Sequence, residues 1–586
     1  MKVGKTTRRL RWAALLVGVA AVLLVGLTGY QAVQARDALQ AAAADFEVLP
    51  GQLSQGDTAA ARETVASAQE AAQSARENTD GPGWWLGSRL PVVGDDVAAV
   101  RTVSDVVDRL SSDVLPRAVD ASQTLTPEEL RPVKGRVDLA PIQKVAPDVV
   151  AASEALEREQ SRVAAIDTSG LVSQLRAPVV QLQDKLTEAS DLTAKAARAA
   201  QLLPPMLGAD GKRTYLVLFQ NNAEIRATGG MPGALATITA ENGKISMDRQ
   251  GGNIDLGTYA DPALPTTKEE RTLFGNKVGT YPQDSNFTPD FPRTAELVQA
   301  QWKRSQGVTV DGVLATDPIA LSHVLEGTGP VKLPTGQRLT ADDAVQLLLN
   351  EVYLTQPDPE LQNVFFEVAA RNVFDALARG KGNPAVALDG LSQAAEERRL
   401  LVWSADAKEQ QLLEPTRLSG TLPTGTSSTP QIGVYFNDAT AAKMNYYFDY
   451  DVSVQSASCQ DGRQDLAVTV KLRSTAPPRT TRLPVSVTGP YSGLGRNSFR
   501  TGVYIYLPTG GRLDTATLDG RDCAYNTLSH EGRPVVVQTV ELLPGEKSTL
   551  KLDVVSGPDQ PGQAELRVTP GVHGTGVGEV RSSACS

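Results

Sequence analysis

Cysteine and histidine are scarce in this sequence, with three of each among 586 residues. The histidines lie far apart, and no cysteine–histidine spacing resembles that of a zinc site. There is also no serine–histidine–aspartate order and no nucleophile elbow, so any general-base chemistry would depend on carboxylates. We therefore predict no metal site and no cofactor.

Basic residues are not in excess either. Lysine and arginine total 57 against 67 aspartates and glutamates, which gives a formal net charge of -10. Binding to nucleic-acid phosphate needs a basic surface, so we expect no nucleic-acid partner. The imbalance is too mild for a disordered acidic chain. The length instead predicts about three folded units.

The amino-terminal residues combine a basic cluster with an uncharged run. Five lysines and arginines within residues 1–11 precede an apolar run over residues 12–30, which has Trp12 and Tyr30 at its ends. Roughly 20 apolar residues cross a bilayer, and a basic flank stays cytoplasmic. We predict a cytoplasmic tail over 1–11, a single transmembrane helix over 12–30, and an extracytoplasmic remainder. The alternative is a signal peptide cleaved after Ala35.

The rest of the chain changes character several times, which predicts a multidomain fold with α and β parts. Residues 31–203 are rich in helix formers and predict an extracytoplasmic helical stalk or bundle. Alternating strand and helix patterns predict an α/β domain over 205–413, followed by a Thr/Ser/Gly/Pro linker over 414–431. Alternating apolar runs predict an immunoglobulin-like β-sandwich over 432–570, and the glycine-rich residues 571–586 predict a flexible tail.

The cysteines lie in the last third of the chain. An exported β-rich segment with two or three cysteines favours one disulfide, although sequence alone does not fix the pair. Because Cys585 falls in the predicted tail, we expect the bond to join Cys459 and Cys523.

Two adjacent tryptophans, Trp84 and Trp85, precede Arg89 and Leu90 in the helical region. They could lie near a membrane surface or fill the interior of the bundle. Burial is the simpler interpretation, because tryptophan is highly buried on average.

The most unusual segment, residues 220–230, follows a buried-strand pattern and combines amides, charges, a hydroxyl and glycines. Polar groups that leave the end of an α/β strand often line a site. An arginine there could bind phosphate or carboxylate with two hydrogen bonds, and paired glycines let backbone N–H groups approach an anion. The candidate binding residues are Asn221, Asn222, Glu224, Arg226, Thr228, Gly229 and Gly230. An equally weighted alternative is a loop that satisfies itself, with Glu224 paired to Arg226.

Two further polar loops add Asp255 and Asp284 to the candidate binding residues. Together with Glu224 they could surround a divalent cation or activate a hydroxyl. Turn capping is the favoured interpretation unless the loops converge in space.

Three separated motifs resemble one bacterial family. They read LVLFQNNAEIRATGG, YPQDSNFTPDFP and VDGVLATDP, and they occur in the order found in the family called domain of unknown function 4012. The resemblance covers residues 205–400. It implies an envelope protein with a membrane-anchored helical front part and a β tail, of a kind often associated with exopolysaccharide or cell-wall functions.

A more distant similarity is to the LytR–CpsA–Psr family, which transfers glycopolymers from polyprenyl pyrophosphate carriers to the wall. It rests on the run VDGVLATDPIALSHVLEGTGPVKLPTGQRLTADDAVQLLL and on the single predicted anchor. This chain departs from that family at its arginine-rich pyrophosphate motifs. Gln362 and Asn363 stand where an arginine–glutamine pair is expected.

Two functions follow from these observations. The first is binding or assembly of envelope polysaccharide or a lipid-linked glycan, without catalysis and with other envelope proteins as possible partners. The alternative, implied by the distant resemblance, is a phosphoglycosyl-type transferase of glycopolymer or lipid-linked sugar. With few arginines, that reaction would need a divalent cation to balance the pyrophosphate. Convergence of Glu224, Arg226, Asp255 and Asp284 on one pocket would favour the transferase.

Overall fold

In a computed structural model, the protein is described over residues 4–124, 126, 130–425, 427–490 and 493–585. The chain divides into two compact units. The helical unit comprises Met1–Leu130 and Asp138–Pro205, and the mixed unit comprises Arg131–Val137 and Met206–Ser586.

The helical unit is built from helices that bury small and branched side chains. In its second helix the buried residues Ala61, Val65, Ala68, Ala72 and Ala75 recur every three or four positions, which places them on one face. A π-helical segment, Leu110–Val114, joins the fourth helix to the fifth. The helices are α1 (Gly4–Ser54), α2 (Thr58–Thr79), α3 (Pro82–Gly87), α4 (Gly94–Arg109), α5 (Leu115–Thr124), α6 (Ala140–Ala164) and α7 (Ser173–Met206).

The predicted transmembrane segment, residues 12–30, lies within α1, and its side chains up to residue 25 are outside the described part of the structure. Within the described residues, no helix combines the length and the apolar character that crossing a bilayer requires.

The first half of the mixed unit contains a mixed sheet in the order β3-β2-β1-β4-β7, in which β1 and β4 are parallel and the other neighbours antiparallel. Its strands, with a separate β5–β6 pair, are β1 (Arg213–Arg226), β2 (Gly229–Glu241), β3 (Lys244–Gly252), β4 (Gly312–Thr316), β5 (Val331–Lys332), β6 (Arg338–Leu339) and β7 (Leu401–Ser404).

Helices alternate with these strands, as the sequence predicted. Phe291, Val298 and Trp302 pack beside Leu216 and Val313 of the sheet. A π-helical segment, Leu347–Glu351, connects α12 to α13. The helices are α8 (Lys268–Phe274), α9 (Lys277–Thr280), α10 (Phe291–Gln306), α11 (Pro318–Thr328), α12 (Ala344–Gln346), α13 (Val352–Thr355), α14 (Pro359–Ala378), α15 (Pro384–Glu396) and α16 (Ala407–Leu413).

After residue 430 the chain forms two sheets, in the orders β13-β12-β16-β10-β9-β18 and β14-β15-β11-β8-β17. Phe436 and Ile505 of one sheet share a core with Val468 and Leu552 of the other, so the sheets form the predicted two-layer sandwich. The elements are β8 (Gln431–Asp438), β9 (Phe448–Gln460), β10 (Arg463–Ser474), α17 (Val485–Thr488), β11 (Phe499–Tyr506), β12 (Arg512–Leu518), β13 (Arg521–Asp522), β14 (Asn526–His530), β15 (Arg533–Leu542), β16 (Lys547–Val555), β17 (Glu565–Val568) and β18 (Glu579–Val580).

The predicted disulfide between Cys459 and Cys523 is wrong. Cys459 is bonded to Cys585, with Cα atoms 5.1 Å apart, and Cys523 remains a half-buried thiol. The reason lies in residues 571–585, which we predicted to be a flexible tail. Their strand β18 pairs in parallel with Ser453 and Val454 of β9, which carries Cys585 to the end of that strand.

Candidate functional site

The polar segment 220–230 completes β1 and begins β2 instead of forming an open loop. The pairing of the two strands shifts twice, once after Phe219 and once between Asn221 and Ile225. Such bulges re-aim side chains away from the ordinary strand alternation. A Cβ atom on Gly230 would lie 2.2 Å from the carbonyl carbon of Asn221, so the close approach of the strands requires glycine there.

Glu224 is buried and forms an ion pair with Lys443, whose Nζ donates to the glutamate Oε1 at 2.6 Å. Burial acts to raise the pKa of Glu224, but the charges of Lys443 and Arg226 outweigh it and hold the pKa below its usual value. The ammonium group also lies 4.8 Å from the centre of the Tyr353 ring. Glu224 is therefore paired within the protein, with Lys443 as its partner and not with Arg226.

Arg226 pairs with the other predicted carboxylate. Its guanidinium lies 3.4 Å from Asp284 Oδ1 and 4.7 Å from the centre of the Phe287 ring. Burial raises the pKa of Asp284, and the charge of Arg226 only partly opposes this effect. Both members of the pair are buried, so Arg226 does not face solvent as an anion receptor.

The amides and the hydroxyl of the segment are also engaged by the protein. Asn222 donates from Nδ2 to Asp317 at 2.9 Å and to the Pro570 carbonyl at 3.2 Å. Asn221 donates to the Tyr353 hydroxyl at 2.7 Å. Thr228 donates to Gln220 and accepts from Asn286. The segment is thus a buried polar network that ties the mixed sheet to the sandwich.

Asp255 does not join this network. It is exposed, and its carboxylate accepts the backbone N–H of Gly252 at 3.0 Å, next to the 3-10 turn Asn253–Leu256. Glu224, Arg226 and Asp284 meet, whereas Asp255 caps its own turn. Among the described residues, no group of three metal-binding side chains is assembled.

A cavity of about 240 Å³ opens where the pairing of β1 with β4 stops, at Phe219 and Thr316. The paired parts of the two strands run parallel, and α/β proteins commonly bind ligands at the edge of a sheet where such pairing stops. Much of the cavity wall is apolar and comes from β2, α11, the π-helical segment Leu347–Glu351 and α14. It includes Met231, Leu321, Leu348, Leu349 and Phe366.

Polar groups occupy part of the cavity wall. Of the polar segment 220–230, Gln220 and Asn221 line the cavity. The other polar lining residues include Tyr353, Gln362, Asn363 and Lys443. Asp317 also borders the cavity, but its carboxylate is satisfied by Arg399 at 2.9 Å and by the Ala320 N–H at 2.8 Å. Arg226, Asp284 and Asp255 are not lining residues.

Lys443, Arg399 and Tyr353 were not among the residues predicted to form a site. The polar and aromatic stretch Lys443–Tyr447 could be interpreted from sequence as a glycan or protein surface or, more simply, as packing at a domain boundary, but no local pattern indicates the pairing of Lys443 with Glu224, 219 positions earlier. Asp317 caps α11, as its position directly before Pro318 indicates. A carboxylate followed by proline predicts the cap but does not indicate its second partner, Arg399.

Comparison with known proteins identifies one family. Residues 210–353 match the family described as "Protein of unknown function (DUF4012)". No curated protein and no solved structure matches the chain. The matched region runs from the start of β1 to Tyr353 and contributes one side of the cavity. The match over residues 210–353 confirms the DUF4012 resemblance that the three motifs indicated for this part of the chain.

Proposed function

We propose that this protein is a membrane-anchored, extracytoplasmic protein of the cell envelope whose cavity binds a lipid-linked glycan without transforming it. The observation behind this proposal is an apolar cavity with Lys443 in its wall. An apolar chain gains roughly 25 cal/mol for each Å² removed from water, and an anionic head group gains a charge-assisted hydrogen bond from the ammonium. A free polysaccharide would leave the apolar wall uncovered, so the lipid-linked form fits better.

Two features support the cellular location. The uncharged run over residues 12–30 follows a basic cluster, which is typical of an anchor with a cytoplasmic amino terminus. The Cys459–Cys585 disulfide is of a kind that persists in oxidising compartments outside the cytoplasm. The proposed partners are then the lipid bilayer, the lipid-linked glycans that it carries, and other envelope proteins.

The geometry favours binding over the alternative of glycopolymer transfer. A pyrophosphate needs at least two cations or a metal to balance its charge. Among the described residues of the cavity wall, Lys443 is the only cation, and it has N–H groups left for a monophosphate beyond the one it donates to Glu224, whereas Arg226 is paired with Asp284 outside the cavity. Gln362 and Asn363, at the position where the LytR–CpsA–Psr family has its arginine, supply only neutral groups to the cavity wall.

A cavity-filling substitution tests the proposal. Gly233 lines the cavity, and a Cβ atom there would meet only Met231, at 3.5 Å or more. Gly233→Leu should therefore fill the cavity with little backbone strain. The matched control is Gly425→Leu, because a Cβ on Gly425 would have no neighbour within 4 Å.

Binding of a polyprenyl phosphate to the full-length protein is measured by native mass spectrometry. We expect the wild type and Gly425→Leu to bind it and Gly233→Leu to lose at least tenfold in affinity. Lys443→Gln combined with Glu224→Gln, which leaves no unpaired buried charge, should weaken binding of polyprenyl phosphate but leave binding of the uncharged polyprenol unaffected. Equal binding by wild type and a folded Gly233→Leu variant would refute the cavity as the site. Conversion of a polyprenyl-pyrophosphate-linked sugar by the wild type would support the transferase instead.

A further inference from the structure

The end of α3 and its connection to α4 expose five large apolar side chains close together in the sequence. Trp85 is 52% exposed and Val92 87% exposed, and Leu86, Leu90 and Val93 are also exposed. We call residues 85–93 the apolar loop. The neighbouring Trp84 is only 3% exposed, so the favoured prediction of burial applies to one tryptophan of the pair and not to the other. Contiguous exposed apolar surface of this kind usually marks an interaction site.

A basic groove lies beside the apolar loop. Its lining contains four arginines and two aspartates, namely Arg76, Arg89, Arg101, Arg162, Asp80 and Asp105. Asp105 is shared by three guanidinium groups, at 2.6 Å from Arg162, 3.2 Å from Arg109 and 3.7 Å from Arg76. Among the described residues, Arg101 has no carboxylate partner within 4 Å. Arg76 also pairs with Asp108 at 2.7 Å and Arg162 with Glu159 at 2.6 Å, so among the described groove residues Arg89 and Arg101 are the arginines left for an anionic ligand.

Trp85 links the groove to the loop. The Arg89 guanidinium lies 3.7 Å from the centre of the Trp85 ring and donates to the Trp85 carbonyl at 3.0 Å. The ring is thus held on one side by a cation while half of the side chain remains in solvent. Of the acidic residues that follow the loop, Asp96 accepts the Val172 N–H at 2.9 Å, and Asp95 is exposed at the start of α4.

We propose that the apolar loop docks on the surface of a lipid bilayer that contains anionic head groups. Tryptophan favours the interface between head groups and acyl chains, and leucine and valine gain free energy by entering its apolar side. Arginines beside the inserted residues attract anionic lipids. This charge complementarity is what selects an anionic bilayer over a second protein as the occupant. The docking is independent of ligand binding in the cavity.

A position-specific fluorescent probe tests the docking. In a Cys523→Ser background, Val92→Cys is labelled with the polarity-sensitive dye NBD, and Leu192→Cys is labelled as the control. Leu192 is 68% exposed and lies on α7 of the same unit, away from the apolar loop in sequence. The labelled full-length proteins are mixed with vesicles of phosphatidylglycerol and phosphatidylcholine, or of phosphatidylcholine alone.

We expect the probe at position 92 to shift to the blue and brighten severalfold on the anionic vesicles, and the probe at position 192 to stay as in water. Arg101→Gln should lower the docking constant roughly fivefold, whereas Arg101→Lys should preserve it. An unshifted probe at position 92, or equal shifts at both positions, would overturn the proposal. Equal shifts on neutral and anionic vesicles would overturn the assignment to anionic lipid. A shift without vesicles that grows with protein concentration would mean self-association and would also overturn it.

Discussion

Asp438, at the end of β8, is a buried carboxylate whose replacement by asparagine should remove a pH-dependent loss of stability. Its side chain accepts backbone N–H groups from Thr440 at 3.1 Å and Ala441 at 2.7 Å. Burial raises its pKa from 3.8 to about 6, although the charge of Arg226 and these hydrogen bonds oppose the rise. Between pH 3.8 and about 6, the folded protein therefore holds a proton on Asp438 that the unfolded chain releases.

The sign and size of the effect follow from this difference in pKa. Because the folded-state pKa is the higher one, the stabilisation is fully present below pH 3.8 and is lost as the pH rises through about 6. The shift of about two pKa units corresponds to about 3 kcal/mol in the free energy of unfolding. Asparagine resembles the protonated acid in size and polarity but does not titrate, so it should keep this stabilisation at neutral pH.

Urea unfolding at a series of pH values, followed by tryptophan fluorescence, measures the difference between wild type and Asp438→Asn. The free energies of unfolding of the two proteins should be similar near pH 4. Above pH 6, the variant should be more stable than the wild type by up to about 3 kcal/mol. The exposed Asp451→Asn serves as the control for a surface substitution. A difference that does not change with pH would refute the reasoning. So would a variant that loses stability relative to wild type as the pH rises, since ionised Asp438 would then be stabilised by Arg226.

Two further substitutions test the interior of the mixed unit. Lys443→Met should destabilise the protein by about 3–5 kcal/mol, because Glu224 is left buried without its ion-pair partner. Adding Glu224→Gln should recover most of that loss in urea unfolding, whereas losses that simply add would contradict the pairing. Cys585→Ser should cost about 2–5 kcal/mol, since the bond closes a loop with a sequence separation of 126. Peptide mapping without reduction should recover Cys459 linked to Cys585, and a Cys459–Cys523 peptide would contradict the structure.

Much of the local structure could be predicted from the sequence, because its signals are local. The buried-strand pattern after residue 213 and the Asp317–Pro318 helix start both correspond to real elements. The partners of the polar segment could not be predicted in this way. The ion pair of Glu224 spans 219 positions, so it depends on tertiary packing that no short motif records.

The disulfide shows the same limit. The glycine-rich composition of residues 571–586 predicted a flexible tail. Composition cannot predict that β18 pairs with β9, and this pairing brings Cys585 to Cys459. Trp84 and Trp85 give a second example of this limit. They are adjacent on the short helix α3, but Trp84 is buried and Trp85 is exposed. The residue type predicted burial for both tryptophans, whereas the arrangement of the helices determines which of the two is buried.

The return of the chain to β1 near residue 570 has a consequence for biogenesis. The Pro570 carbonyl, which accepts a hydrogen bond from Asn222, is synthesised 348 residues after it. Thr569 likewise donates to the Ala227 carbonyl, at 3.0 Å. At roughly 5–20 residues per second, the intervening chain takes about 20–70 s to synthesise. During that interval the hydrogen bonds of Asn222 with the Pro570 carbonyl and of the Ala227 carbonyl with Thr569 cannot form. The mixed unit therefore cannot mature in step with its emergence from the ribosome, and intermediates that stop short of residue 569 should be open to proteases at this strand.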